Sequence, residues 1–134
     1  MSKKIFSAKF ADIALISLLS FFLYFFMLGS IPLTDRDEGL YATVSATMER
    51  TGDYIVPKLI EKPFDDKPVF TFWLTAFFSK LFGMNEFGLR TGSAFCAFFL
   101  LLAMYHMLLF ISEDRLFAIF AVLATGLTPL YTAV

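Results

Sequence analysis

Apolar residues run almost unbroken over positions 13–31, 91–111 and 116–134, and no Asp, Glu, Lys or Arg interrupts any of the three runs. At about 1.5 Å of rise per helical residue, runs of this length approach the roughly 30 Å of a bilayer's hydrocarbon core. Each therefore predicts a membrane-spanning helix. Residues 34–68 between the first two runs are charged and turn-rich, and hold most of the chain's twelve acids. Carboxylates are too costly to leave in hydrocarbon, so this stretch predicts a water-facing loop.

Inside the loop the period changes. Leu40, Tyr41, Val44 and Met48 recur at helical spacing against polar Thr43, Ser45, Thr47, Glu49 and Arg50, which predicts an amphipathic helix over 36–51 lying in the membrane interface. Thr34 or Asp35 is placed to cap it, Asp37 and Glu38 fall in its first turn, and Gly52 is placed to end it. Residues 54–64 read as extended chain with a turn. A second apolar stretch, 68–82, is too short to span and predicts another interfacial helix, with Trp73 as a headgroup-level anchor. Asn85 is placed to cap the next helix, and Gly126 with Pro129 to kink the last one.

The predicted layout is an all-α membrane protein. It has an amino-terminal segment 1–11, transmembrane helices at 12–32, 89–111 and 116–134, an external loop 33–88 with its two interfacial helices, and a short turn at 112–115. Lys3, Lys4 and Lys9 favour a cytoplasmic amino terminus, hence a multi-pass inner (plasma) membrane protein with the first loop outside. A cleaved signal peptide fits less well, because its apolar core spans only about 7–15 residues. The third apolar run reaches Val134 without a polar exit, so the chain reads as the amino-terminal piece of something longer.

Composition sharpens this reading at a few points. Hydrophobic residues make up 58% of the 134 positions, against roughly 45–50% in an ordinary soluble domain. The net charge of −1 gives no basis for nucleic-acid binding, which calls for a basic surface. Cys96 is the single cysteine, so the chain builds neither a disulfide nor a cysteine-rich metal site, and it reads as a packing residue. His106, mid-run and without a second ligand at metal-binding spacing, reads the same way.

Two clusters carry candidate chemistry: Asp35-Arg36-Asp37-Glu38, and Phe64-Asp65-Asp66-Lys67-Pro68. A carboxylate in the first turn of a helix meets backbone N–H groups that favour negative charge, and can serve as a general base toward a hydroxyl or help hold a divalent cation. A lysine beside a proline-fixed backbone suits a phosphate head group as a compact charge on a long stem. The competing explanation is that these side chains are a helix cap and solvated loop charges. Arg90 reads as an interfacial anchor or a phosphate contact, and Tyr41 as an orienter of Asp37 or a bilayer-facing residue.

The blocks Asp37-Glu38-Gly39-Leu40-Tyr41-Ala42, Thr51-Gly52-Asp53-Tyr54-Ile55-Val56-Pro57, Asp66-Lys67-Pro68, Trp73-Leu74, Lys80-Leu81-Phe82-Gly83, Asn85-Glu86-Phe87 and Leu89-Arg90 occur in this order. Together they resemble the amino-terminal part of the dolichyl-phosphate-mannose-protein mannosyltransferase family, whose bacterial relatives include the lipid A aminoarabinose transferase. The resemblance implies a piece of a larger GT-C fold, a membrane glycosyltransferase that takes a sugar from a polyprenyl-phosphate carrier on the external face, with inversion. It implies Asp37 as the catalytic carboxylate and Lys67 as the contact to the lipid phosphate. Asp66 takes the acidic position beside that lysine, where it can help bind a metal, with no cofactor certain. Arg90 and Glu38 complete the substrate-binding candidates. In the aminoarabinose branch the position of Leu40 is an arginine that assists with phosphate, so another basic residue, such as Arg36 or Arg90, would have to substitute.

The expected function is thus the amino-terminal segment of a glycosyltransferase, inactive alone, with a polyprenyl-phosphate-linked sugar and the bilayer as partners. The acceptor, whether lipid, protein or polysaccharide, stays open. The alternative is a non-enzymatic three-helix membrane module that binds lipid phosphate or a partner protein. Coding sequence continuing well past Val134 would favour the enzyme. A transporter fragment finds no charge within the apolar runs to mark an ion path.

Overall fold

The computed structural model describes residues 2–33 and 36–128, with side chains from residue 11 onward except that of Arg36. The expected cap at Thr34 or Asp35, the kink at Pro129, and the side chains of Lys3, Lys4, Lys9 and Arg36 lie outside the described residues. Among the described residues there are five helices and one two-stranded hairpin: α1 (Ser2–Phe25), α2 (Arg36–Thr51), β1 (Lys58–Leu59), β2 (Lys62–Pro63), α3 (Val69–Phe82), α4 (Glu86–Ser112) and α5 (Arg115–Gly126). The chain divides into two compact units, one of Met1–Phe26 with Ala94–Val134, the other of Met27–Ser93.

In the first unit the usual distribution of residues is inverted in part, polar and small side chains sharing the interior with a few apolar ones. Along α1 the buried positions recur every fourth residue, and they are Asp12, Ile16, Ser20 and Tyr24, while Leu15, Leu18, Phe21 and Phe22 face outward. The pattern continues in α4, which buries Ala94, Leu101 and Tyr105 and exposes Phe99, Met107, Phe110 and Ile111, and in α5, which buries Ala118, Val122 and Gly126. Small and polar side chains between helices with large apolar ones outside suit a lipid solvent, where close backbone approach and interhelical hydrogen bonds drive association. Among the described residues α4 is the one helix long and apolar enough to cross a membrane. Its 27 residues correspond to about 40 Å of helix. Asp12 meets Tyr105 and Arg115 while Phe25 meets Phe95 with ring centroids 5.0 Å apart, so α1 runs antiparallel to α4.

This inversion corrects two expectations. Cys96 is exposed on α4 rather than packed. His106 also faces outward, with its ring centroid 5.6 Å from that of Tyr105. In lipid an apolar run turns much of its surface to the solvent, so position in the run does not imply burial in protein.

The second unit is built on α2, α3 and the hairpin. Val44, Met48 and Phe72 form its fully covered centre, with Leu40, Tyr41, Leu59, Phe64 and Val69 packed around them. The apolar stripe of α2, expected to face the membrane interface, is therefore covered by α3 and β1. Tyr41 is half-buried and packs against Phe72, with the rings tilted at 51° and their centroids 5.5 Å apart. Ser45 donates to the Phe72 carbonyl at 3.3 Å and Ser79 to Glu49 at 2.9 Å, fixing the register of α2 against α3. What α3 leaves outside is a stripe of Phe70, Trp73, Phe77 and Leu81. Trp73 lies partly in this stripe while its Nε1 donates to the Tyr54 carbonyl at 2.6 Å.

Turn chemistry follows the expected punctuation. Gly52 ends α2 at φ 70°, Gly83 follows α3 at φ 94°, and Asn85 Oδ1 accepts from the Gly88 N–H at 2.9 Å to cap α4. Residues 54–64 hold a hairpin, with Lys58 opposite Pro63 and Leu59 opposite Lys62, so the fold is not wholly helical. Asp53 starts that segment. Its carboxylate accepts from Lys58 Nζ at 2.7 Å and from the N–H groups of Ile55 and Val56 at 3.2 Å each.

The Lys58 bond first, then the two amides, hold the Asp53 carboxyl below its ordinary value of 3.8. A depressed folded value means that the turn is supported by this group above the ordinary value and loses that support as pH falls through the lower one. Acidification from pH 5 to pH 3 is expected to reduce the protection factors of the Ile55 and Val56 amides, measured by hydrogen exchange. Asp53→Asn should flatten that dependence.

The first expected span differs at its end. α1 stops at Phe25 rather than continuing to residue 32, and Met27 adopts φ 61°. Beyond this end the carbonyls of Leu28, Ile31 and Pro32 accept from an arginine of α4, described next.

Candidate functional site

Asp37 and Lys67 stand thirty positions apart in sequence and are brought together by the packing of α2 against α3. Asp37 lies in the first turn of α2, and Lys67 immediately precedes Pro68, whose φ of −59° leads into α3. The burial of Phe72 against Val44 and Met48 fixes the two helix starts side by side. Lys67 Nζ lies 3.6 Å from Asp37 Oδ2, with 38% of the lysine side chain and 56% of the aspartate side chain exposed. The result is an accessible, opposite-charged pair: a proton acceptor next to a cation on a long stem.

Glu38, the next residue, turns the other way and meets Arg90 of α4. Arg90 Nε and Nη2 donate to the two Glu38 oxygens at 2.6 and 2.8 Å. The same guanidinium donates to the carbonyls of Leu28 at 3.0 Å, Ile31 at 2.8 Å and Pro32 at 3.3 Å. Phe87 packs tightly against Gly29, where an added Cβ would lie 2.9 Å from the Phe87 Cβ. The stretch leading from α1 toward Asp37 is thus held against the start of α4.

Asp66 is exposed. Among the described residues no three side chains of His, Cys, Asp or Glu converge, so the described donors around Asp66 do not assemble the several oxygen ligands that a divalent cation needs.

A second charged cluster lies in the other unit. Asp12 is 3% exposed, and its Oδ2 accepts from Tyr105 Oη at 2.8 Å and from Arg115 Nε, while Oδ1 accepts from Arg115 Nη2 at 2.5 Å. Asp12 is the first residue of the expected span 12–32, so an ionisable group does stand within that span. The signal was present in the sequence as Asp12 and Arg115 at the borders of two apolar runs.

Comparison with known proteins gives the following. Residues 66–134 match the family described as dolichyl-phosphate-mannose-protein mannosyltransferase. A protein of Photorhabdus laumondii named undecaprenyl phosphate-alpha-4-amino-4-deoxy-L-arabinose arabinosyl transferase is 34% identical over 98 residues, covering 69% of this chain and 18% of the relative. A protein of the same name from Aeromonas hydrophila is 37% identical over 76 residues, covering 55% of this chain and 14% of the relative. An uncharacterized protein of Aquifex aeolicus is 39% identical over 100 residues, covering 73% of this chain and 24% of the relative. The chain thus spans less than a quarter of the length of these relatives. No solved structure matches it.

Proposed function

Because the chain belongs to the dolichyl-phosphate-mannose-protein mannosyltransferase family, we propose that it supplies half of a sugar-transfer centre in a longer membrane glycosyltransferase. The donor is a sugar carried on a polyprenyl phosphate, as the names of the aminoarabinose transferase relatives state for those proteins. The observation that carries the reading is the approach of Lys67 to Asp37 at 3.6 Å on an open face of the second unit.

In this reading an acceptor hydroxyl lies against Asp37, which removes its proton as the oxygen attacks the anomeric carbon. The bond from that carbon to the phosphate oxygen breaks, and the leaving polyprenyl phosphate keeps the electron pair. Lys67 neutralises the charge that grows on that phosphate. One carboxylate suffices for such a single displacement, and the configuration inverts. The remaining site residues belong to the rest of the longer protein. For topology we assign the amino terminus and the turn at 112–115 to the cytoplasmic side. On this assignment the loop that carries Asp37 and Lys67 lies on the external side.

The test is donor kinetics in a full-length polypeptide carrying this chain. Lys67→Met keeps most of the stem and removes the charge. It is expected to lower kcat/KM for the donor about 10- to 100-fold, the worth of one charge-assisted hydrogen bond. Unchanged KM and turnover, or a wild-type protein that transfers no sugar from any polyprenyl-phosphate donor, would overturn the proposal.

A further inference from the structure

Arg90 is the most fully engaged of the candidate residues. A guanidinium carries five N–H donors in a rigid planar fork, and here two go to Glu38 while three go to the carbonyls of Leu28, Ile31 and Pro32. Its side chain is 11% exposed. No N–H remains to receive an anionic head group, and a phosphate could bind only by displacing contacts already made.

We infer that Arg90 is the positioning residue for Asp37 rather than a contact to the donor phosphate, an inference that rests on the sugar-transfer reading of the Asp37 and Lys67 pair. Asp37 lies five residues after Pro32 and one before Glu38, so the two stretches tethered to the guanidinium bracket it in sequence. Holding Glu38 in the first turn of α2 limits how far the neighbouring Asp37 can swing away from Lys67. The contact to Glu38 is bidentate, which constrains orientation as well as distance. Lysine, a point charge with three rotatable donors, cannot reproduce a five-donor fork. The structure therefore assigns to Arg90 and Glu38 the task of aiming the carboxylate next to them.

Two readouts test this in the full-length polypeptide. The first is kinetic: Arg90→Lys and Glu38→Gln are each expected to lower kcat, per folded molecule, by about 100-fold, the scale of a misplacement near 1 Å, with the donor KM within about twofold of wild type. The double variant should be little worse than either alone, because the two side chains act as one unit. A raised donor KM at unchanged kcat would overturn the inference and make Arg90 a phosphate contact. Unchanged kcat and KM per folded molecule would leave it a purely structural tether and overturn the inference equally.

The second readout needs no activity. In a Cys96→Ala background, Asp37→Cys with Lys67→Cys is expected to cross-link through a short bismaleimide, and adding Arg90→Gln should cut the yield several-fold. Undiminished cross-linking would refute the positioning role. If the wild type transfers no sugar and yet cross-linking depends on Arg90, the functional reading fails while the positioning of residue 37 stands.

Discussion

Asp37→Asn in a full-length polypeptide carrying this chain is expected to lower sugar-transfer turnover by about 10²- to 10⁴-fold, the usual contribution of a positioned general base. Asparagine has nearly the same shape and keeps an oxygen for Lys67, but it cannot accept a proton from an attacking hydroxyl. Donor KM should therefore change little, and the amount of folded protein in the membrane should not change, because 56% of the Asp37 side chain is exposed and nothing in the core rests on it. Asp37→Glu separates the remaining explanations: it keeps the base but advances it by one methylene, so partial activity is expected. The assay is transfer from a polyprenyl-phosphate sugar under saturating donor. Near-normal turnover of the asparagine variant would remove Asp37 from the mechanism.

Much of the scaffold under that site was readable from local rules. The end of α2 and both bounds of α3 follow from Gly52, Pro68 and Gly83, residues whose backbone preferences act without help from the rest of the fold. The cap of α4 by Asn85 is equally local. The end of α1 was not readable, because Met27 enters the left-handed region in a stretch whose carbonyls are bound by Arg90, some sixty positions away. Periodicity marked the apolar stripe on α2 correctly but said nothing of its partner, and α3 rather than the bilayer covers Val44 and Met48. The same blindness applies to the site. Residue types at 37, 38, 67 and 90 pointed to a common centre, but only the three-dimensional arrangement separates the open pair Asp37 and Lys67 from the closed pair Glu38 and Arg90. Asp12 was overlooked because it stands at the edge of an apolar run, where a charge reads as a flank.

That overlooked aspartate gives the other large expected effect. Asp12 is almost fully enclosed between α1, α4 and α5, whereas 48% of the Arg115 side chain stays exposed, so the two partners are not equivalent. Asp12→Asn leaves an arginine that can hydrate and is expected to cost on the order of 2 kcal/mol, in the range for hydrogen bonds to charged groups. Arg115→Leu strands an enclosed carboxylate with Tyr105 as its one remaining side-chain donor among the described residues, and its loss of thermal stability in nanodiscs should be larger. The triple variant Asp12→Leu, Arg115→Leu, Tyr105→Phe removes the three described polar side chains of the cluster together and is expected to recover most of the loss, because apolar packing replaces a costly desolvation. Recovery in the triple variant would identify the cluster as a clamp that selects one helix arrangement. A triple variant as unstable as Arg115→Leu would instead mean that the charges themselves hold α1 to α5, and equal losses for Asp12→Asn and Arg115→Leu would contradict the burial asymmetry on which the ordering rests.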